Sequence, residues 1–275
     1  MVGELRLVAR KVGLVYPGPI EAVRDVQLEL CSGELVALLG PNGAGKSSLL
    51  KLLAGLLAPT SGTVELEGQS LTRLGHRARA RSIAVVPQSL QAMPFVDVET
   101  FVRQGRYAHQ GLLPRSRRED TEAVRRALEE ADAGDLAGRA LDQLSGGQRQ
   151  RVLVARALAQ EADVLLFDEP TAALDPEHQV RTFDLIARLG CEGRLAVAVT
   201  HDLNLASQFA TRLVLLQEGR VVADGGVEEV LARDVLEPVY GSNLRYGRLP
   251  APRGPGERPF VVPWLQAEGG DPPSP

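Results

Sequence analysis

Two segments of the chain combine residue types that can hold phosphate groups. The first, "LLGPNGAGKSSLLKLL" (38–53), contains the pattern Gly-x-x-x-x-Gly-Lys-Ser. Gly43 and Gly45 allow the backbone to curl so that successive N–H groups face the β- and γ-phosphates of a nucleotide, and the following helix adds its positive end. Lys46 would meet the phosphate charge directly, and the Ser47 hydroxyl is a ligand for Mg²⁺. The segment therefore predicts a phosphate-binding loop.

The second segment, "DQLSGGQRQRV" (142–152), has a serine, two glycines and a run of helix-forming residues. A helix N-terminus of this kind attracts anions because its backbone N–H groups are unpaired and its dipole is positive there. The chain thus has two candidate contacts for phosphate, about a hundred residues apart. This raises the question of why one chain has two candidate phosphate contacts.

Two carboxylates end a short apolar run in "VLLFDEP" (164–170). Taken alone, an aspartate in this place is more often a strand end or a helix cap. Combined with a phosphate-binding loop, Asp168 is placed to hold Mg²⁺, directly or through water. Glu169 is then placed to polarise a water molecule that attacks the γ-phosphate.

Hydrophobic periodicity predicts the elements that position these residues. Alternation in "VRDVQLEL" (23–30) indicates a half-buried strand, and "LVALL" (35–39) indicates a buried one. After Lys46, leucines recur at helical spacing as far as Leu56, and "SGTVELEG" (61–68) indicates a turn and a strand. Further short buried runs lie at 83–86, 164–167 and 195–199. Because they alternate with helical segments, we expect an α/β fold with a mostly parallel sheet.

Helical signals replace strand signals over about residues 89–160, which predicts a helical subdomain inserted in the sheet. In "SRREDTEAVRRALEEA" (116–131), a Ser-x-x-Glu capping box precedes a face that contains Val124 and Leu128. A later helix over 177–190 places Val180, Phe183, Ile186 and Leu189 on one stripe. Residues 249–275 are rich in proline and glycine and predict a tail, in which "FVVPWL" (260–265) could form a docked strand and "EGGDPPSP" is expected to be disordered.

Bulk properties exclude several classes of protein. A chain of 275 residues can form one large domain with a subdomain. Cys31 and Cys191 are far apart in sequence and are expected to be reduced, which favours the cytosol. The net charge of −4 argues against general nucleic-acid binding, although a local basic patch stays possible. The longest apolar runs are too short to span a bilayer, so membrane association would need a partner.

The motifs "GPNGAGKSS", "LSGGQ", "LLFDEP", "AALD" and "VTHD", in this order and at this spacing, resemble the ATP-binding subunits of ABC transporters over about residues 4–245. The "LSGGQ" signature is largely confined to that superfamily. The resemblance implies an ABC ATPase domain over 1–248, with the fold of a P-loop NTPase. This fold has a mostly parallel central sheet, an N-terminal antiparallel β subdomain and an inserted α-helical subdomain.

The resemblance also implies roles for single residues. Tyr16 would stack on adenine, Gln88 would contact Mg²⁺ and the attacking water, and His201 would hydrogen-bond the γ-phosphate. Without the motifs, Tyr16 and Gln88 read equally well as structural residues, and a histidine placed like His201 is more often a structural residue. The ATP-binding loop would consist of Asn42, Gly43, Ala44, Gly45, Lys46, Ser47 and Ser48. Ser48 stands where threonine is usual, and we expect little effect because both side chains carry a hydroxyl.

The same resemblance answers the question of the two phosphate contacts. In the family, two subunits pack head to tail, and the signature helix of each closes over the ATP of the other. Ser145 and Gly147 would therefore contact the γ-phosphate bound by a second copy of this chain. Asp175 would belong to the loop that communicates between the two sites.

Other segments look like the subgroup that powers importers of iron–siderophore complexes, haem and cobalamin. They are "SIAVVPQ", "GRYAH", "DPEHQV", "HDLNLA" and "VYG". This subgroup implies a many-span permease dimer as partner, a binding protein that delivers the ligand, and a peripheral position on the cytoplasmic face of the plasma membrane. The segment "MPFVDVET" (93–100) departs from the subgroup pattern at a place expected to face the permease. The resemblance does not choose among the three ligands.

Two other functions stay open at this point. One is an ABC ATPase that acts on DNA or ribosomes, although such relatives usually have zinc-binding Cys pairs, long coiled-coil insertions or two ATPase halves. The other is an exporter or regulatory subunit, although exporters often fuse membrane spans to the ATPase and regulatory extensions are usually longer than this tail.

Overall fold

The structure is a computed structural model that describes residues 5–18, 20–90, 92, 94–109, 117–252 and 255–265. Twelve strands lie in these ranges: β1 Arg6–Tyr16, β2 Ile20–Cys31, β3 Leu35–Leu39, β4 Ser61–Leu66, β5 Gln69–Ser70, β6 Ile83–Val86, β7 Val164–Asp168, β8 Leu195–Val199, β9 Arg212–Gln217, β10 Arg220–Gly225, β11 Leu244–Pro250 and β12 Glu257–Pro263. The described α-helices are α1 Lys46–Leu53, α2 His76–Ser82, α3 Val98–Arg103, α4 Arg117–Glu130, α5 Gly146–Ala159, α6 Pro176–Cys191, α7 Leu203–Phe209, α8 Val227–Val230 and α9 Arg233–Tyr240.

The central sheet has the strand order β10-β9-β3-β8-β7-β6. Every pair in it is parallel except β9 with β10. This confirms the predicted mostly parallel sheet. The strands β3, β7 and β8 lie side by side, so their carboxyl ends meet at one edge, where open α/β sheets bind ligands.

A second, antiparallel sheet with the order β2-β1-β4-β5 packs beside the first. It is the expected N-terminal β subdomain. Strand β3 shows how the core divides, because its side chains alternate between two apolar clusters. Val36 and Leu38 join the cluster that contains α1 and the antiparallel sheet, whereas Leu35, Ala37 and Leu39 join the one that contains the helices of the opposite face.

The described part of residues 89–160 folds into α3, α4, α5 and three 3₁₀ turns (Gln104–His109, Gly134–Leu136, Leu141–Gln143), as the predicted helical subdomain requires. Val124 and Leu128 of α4 are buried there, as predicted. Arg106 fastens the subdomain internally, since its buried guanidinium bonds to Asp120 at 2.9 Å and Glu161 at 2.6 Å. Ser116 of the predicted capping box, Met93 of "MPFVDVET" and the "EGGDPPSP" segment lie outside the described residues.

Two apolar residues depart from the predicted pattern. Helix α1 ends at Leu53, and Gly55 follows with a positive φ of 65°, so Leu56 lies in the loop and is 58% exposed. The sequence pattern predicts Val180 on the apolar stripe of α6, but Val180 is 44% exposed, whereas Phe183, Ile186 and Leu189 are buried. Val180 lies in the second turn of α6, near the end that begins at Pro176, so the stripe is buried only from Phe183 onward.

Strands β11 and β12 form a separate antiparallel hairpin. Strand β12 overlaps "FVVPWL" and lies against α7, so ordered structure continues into the segment 249–275. Among the described helices, none has the length and apolar character needed to cross a membrane.

Candidate functional site

The phosphate-binding loop connects β3 to α1, as the motif requires. Gly45 has a φ of 97°, and a Cβ atom there would lie 2.2 Å from the carbonyl oxygen of Ala22. Only glycine fits this position, because a side chain would meet both backbone strain and a clash. Gly43 also has a positive φ, of 80°. The glycines of the motif thus shape a loop whose backbone can enclose phosphate.

Lys46, the first residue of α1, is buried and lies across this loop. Its ammonium donates to the carbonyl oxygens of Gly40 at 2.7 Å and Pro41 at 2.9 Å. Burial lowers the pKa of Lys46 below its ordinary value of 10.5, and the nearby charges of Glu169 and Asp168 oppose this shift. The loop therefore presents a partly desolvated cation at the place where phosphate charge would enter.

Ser47 faces the end of strand β7. Its hydroxyl donates to the Asp168 carboxylate at 2.8 Å, across 121 positions of sequence. A hydroxyl and a carboxylate side by side are oxygen ligands of the kind that Mg²⁺ prefers. The two residues therefore fit a magnesium ion, which they would hold together with the phosphate oxygens of a bound nucleotide.

Glu169 has both carboxylate oxygens engaged. Gln88 donates to Oε2 at 2.7 Å, and Nε2 of His201 lies 2.5 Å from Oε1. The backbone of Glu169 has a φ of 50°, an uncommon value for a residue with a side chain, and its N–H donates to Val199 at 3.1 Å. Backbone strain of this kind is concentrated at functional sites. Three segments far apart in sequence thus meet at one carboxylate.

Tyr16 ends strand β1 beside the loop. Its hydroxyl lies 3.3 Å from the Ser48 hydroxyl, and its ring is partly buried against the apolar cluster around α1. An aromatic ring at this position borders the phosphate loop and can offer a face to a purine base. Asn42 is exposed on the loop, whereas Ala44 is buried beneath it.

The remaining predicted residues lie apart from this cluster. Ser145 caps α5 through a capping box, in which its hydroxyl accepts from Gln148 N at 3.3 Å. Asp175 caps α6 and accepts from both the backbone and the ring of His178, which lowers the pKa of Asp175. Gly147 lies near Leu174, so the signature helix and the Asp175 loop are neighbours. In the described chain, no hydrogen bond joins these residues to the phosphate loop.

Two residues of the site have no assigned role in the sequence analysis. The backbone N–H of Gly40 donates to the Tyr240 hydroxyl, and burial raises the pKa of Tyr240. Gly219, in the turn between β9 and β10, donates to the carbonyl of Ala44 at 3.0 Å. Tyr240 lies in "VYG", a segment that is noted above only for its resemblance to the importer subgroup. Both contacts join segments that are distant in sequence, so local pattern does not predict them.

Comparison with known proteins gives a family for this arrangement. Residues 23–172 match the family described as ABC transporter. The ferric enterobactin transport ATP-binding protein FepC of Escherichia coli is 39% identical over 237 residues, which cover 86% of this chain and 87% of that protein. The hemin import ATP-binding protein HmuV of Pseudomonas putida is 43% identical over 232 residues, which cover 82% of this chain and 89% of that protein.

Solved structures agree. An inward-facing ABC transporter assigned to the metal-chelate type superposes with a TM-score of 0.78 at 27% identity and covers 94% of this chain and 98% of its own. The dimeric ATP-binding cassette MJ0796, in a post-hydrolysis state with ADP and Pi, superposes with a TM-score of 0.74 at 31% identity. The match covers 80% of this chain and 98% of the MJ0796 chain. The fold is thus shared with a cassette whose structure holds ADP and Pi.

Proposed function

This chain belongs to the ABC transporter family and is an ATPase of that family, and we propose that it powers the import of a metal chelate through a membrane permease. The observation that carries the ATPase chemistry is the Glu169 carboxylate, held between Gln88 and His201 beside the Ser47–Asp168 pair. The chelate class rests on the relatives, which are named for import of ferric enterobactin, hemin and cobalamin.

Each group of residues in the site has a separate role in ATP hydrolysis. The loop around Gly43 and Gly45 binds the phosphates through backbone N–H groups, and Lys46 neutralises their charge. Glu169 accepts a proton from the attacking water, and Gln88 and His201 orient its carboxylate from two sides. Ser47 and Asp168 would hold Mg²⁺, which would supply charge neutralisation to the bound phosphates. Gln88 would also contact this ion from its place at the entrance to the helical subdomain.

A second copy of the chain completes the site. Ser145 and the N–H groups near Gly147 lie at a helix N-terminus that makes no hydrogen bond to the phosphate loop among the described residues of its own chain. In a head-to-tail dimer they would contact the γ-phosphate bound by the partner, and Asp175 would lie at the contact between the two sites. The dimeric relative supports this arrangement. ATP would then hold the two copies together, and hydrolysis would release them.

The import role is tested by identifying what the chain binds at the membrane. We would tag the chain in its native cell, solubilise the membranes gently and identify the co-purifying proteins by mass spectrometry, with the untagged strain as control. The proposal predicts a many-span permease, and ATPase activity of that complex that rises with a binding protein loaded with ferric siderophore, haem or cobalamin. Recovery of soluble partners alone would overturn the transport role and leave the ATPase intact.

A further inference from the structure

Strand β12 is fastened to α7, the helix that directly follows His201. The Asn204 carboxamide makes two hydrogen bonds to the backbone of one residue, Val261. Its Nδ2 donates to the Val261 carbonyl at 3.0 Å, and its Oδ1 accepts from the Val261 N–H at 2.8 Å. A residue in an antiparallel sheet exchanges the same pair of bonds with its neighbour. The Asn204 side chain therefore takes the place of a neighbouring strand for β12.

A second bond lies one helical turn further along the same face of α7. The Ser207 hydroxyl donates to the carbonyl oxygen of Pro259 at 2.5 Å, and Ser207 is fully buried. Residues three apart on a helix share a face, so both bonds hold α7 to one strand. Val261 is also buried in the main core. The contact is thus part of the folded body.

The hairpin that supplies β12 is itself fixed to the molecule. Arg248 of β11 forms an ion pair with Glu228 of α8 at 2.7 Å and with Glu257 of β12 at 3.1 Å. Leu244 at the start of β11 is buried in the core. The hairpin can therefore serve as a fixed support for α7.

Helix α7 needs such support because it is short. It spans seven residues, and a helix of this length has little stability of its own. Asp202 caps it by accepting from Asn204 N at 2.8 Å and Leu205 N at 2.9 Å. His201 lies just before this cap, is 44% exposed, and bonds to Glu169 alone among the described residues. The position of its ring is therefore set by its backbone, and so by α7.

We propose that Asn204 is a positioning residue for ATP hydrolysis: it fastens α7 to β12 and thereby holds the His201 imidazole at the Glu169 carboxylate. This inference rests on the role proposed above for His201. It assigns the C-terminal hairpin a part in the chemistry, although no described residue of the hairpin forms a hydrogen bond with Gln88, Glu169 or His201.

The test is steady-state ATP hydrolysis by the full chain with Asn204→Ala. We expect kcat to fall about tenfold, the effect of losing one to two hydrogen bonds that act only on geometry. KM for MgATP should stay within about twofold, because no hydrogen bond joins the described residues of the phosphate loop and β12, and we expect uniform binding to be unchanged. The isosteric Asn204→Asp keeps the bond from Val261 N–H but sets a carboxylate against the Val261 carbonyl, so its kcat should also fall.

Gln208→Ala is the matched control. Gln208 lies on the same helix and also carries a carboxamide, but its side chain makes no hydrogen bond among the described residues, so the kcat of this variant should equal that of the wild type. A second control separates positioning from general damage. In a His201→Ala background, Asn204→Ala should add little further loss, because residues that act through one another are not additive.

The outcomes distinguish the inference from its premise. If His201→Ala leaves kcat unchanged, the proposed role of His201 fails and the inference fails with it. If His201→Ala lowers kcat while Asn204→Ala does not, or if the two losses multiply fully, the ATPase mechanism stands and the inference alone is overturned.

Discussion

At the scale of single residues, the site is a set of mutual hydrogen bonds around two carboxylates. Asp168 and Glu169 are adjacent in sequence but serve different partners, since one faces Ser47 and the other faces Gln88 and His201. The positive φ of Glu169 accompanies this divergence at the end of β7. The two adjacent carboxylates can thus take the two different roles proposed above, one at the metal and one at the attacking water.

Lys46 gives the first prediction at this scale. Lys46→Ala should weaken ATP binding more than about a hundredfold, because it removes the buried cation that pairs with the phosphates through charge-assisted hydrogen bonds. Binding at micromolar nucleotide should then be undetectable by isothermal titration calorimetry. Lys51→Ala is the control, since Lys51 is exposed in the last turn of the same helix. Equal affinity in both variants would mean that the phosphate loop is misassigned.

At the scale of elements, the sequence predicts those helices and strands whose formation depends on residues that are close in sequence. The strand before the phosphate loop, the helix after it and the buried strands at 83–86, 164–167 and 195–199 all follow from local periodicity. The exposure of Leu56 and Val180 does not follow from periodicity. Periodicity shows that residues share a face of a helix, but it does not show which other element covers that face. The positive φ of Gly55 follows the end of α1 and leaves Leu56 in the loop, and Val180 lies in the second turn of α6, before the part of the stripe that is buried.

Contacts between elements that are distant in sequence are the main feature that the sequence does not predict. The bonds of Asn204 to Val261 and of Gly40 to Tyr240 join segments that are far apart in sequence. Nothing in their local pattern indicates a partner. The role proposed for Glu169 follows from its place at the end of the apolar run 164–167 in a chain with a phosphate loop. The contacts that hold the helix after His201 are visible only in the packing of α7 against β12.

Helix α3 gives a prediction of pH-dependent stability. Asp97 caps this helix by accepting from Thr100 N at 2.7 Å, and this bond is the main cause that holds the pKa of Asp97 below its ordinary value of 3.8. Asp97→Ala should lower the free energy of unfolding by about 1 kcal/mol at pH 7, the usual effect of losing a cap. Denaturant titration followed by circular dichroism measures this difference.

The sign of the pH effect follows from the lowered pKa. The carboxylate of Asp97 stabilises the folded state fully above the ordinary value of 3.8, and this contribution shrinks as the pH falls through the lower folded-state value. The difference between Asp97→Ala and wild type should therefore narrow in acid. A difference that is constant from pH 7 to the lowest pH at which the chain folds would contradict the capping role. Asp163→Ala, at an exposed aspartate outside this helix, controls for a general loss of charge.

At the scale of the whole molecule, we propose that the two phosphate contacts of one chain bind two different nucleotides. The loop from β3 to α1 and the cap of α5 lie on elements without a shared hydrogen bond in the described chain. A symmetric pair of chains resolves this division, because each copy would supply the contact that the other lacks. The nucleotide would then be part of the interface, and its hydrolysis would change the assembly that a permease senses.

The most direct test of this account is the mass of Glu169→Gln in solution, measured by light scattering with and without millimolar MgATP. The substitution keeps the shape of the side chain but removes the base, so ATP should bind and persist. The account predicts a monomer without nucleotide and a stable dimer of twice the mass with MgATP, whereas Glu169→Gln combined with Lys46→Ala should stay monomeric. A Glu169→Gln chain that binds MgATP and still has the mass of a monomer would contradict the shared site.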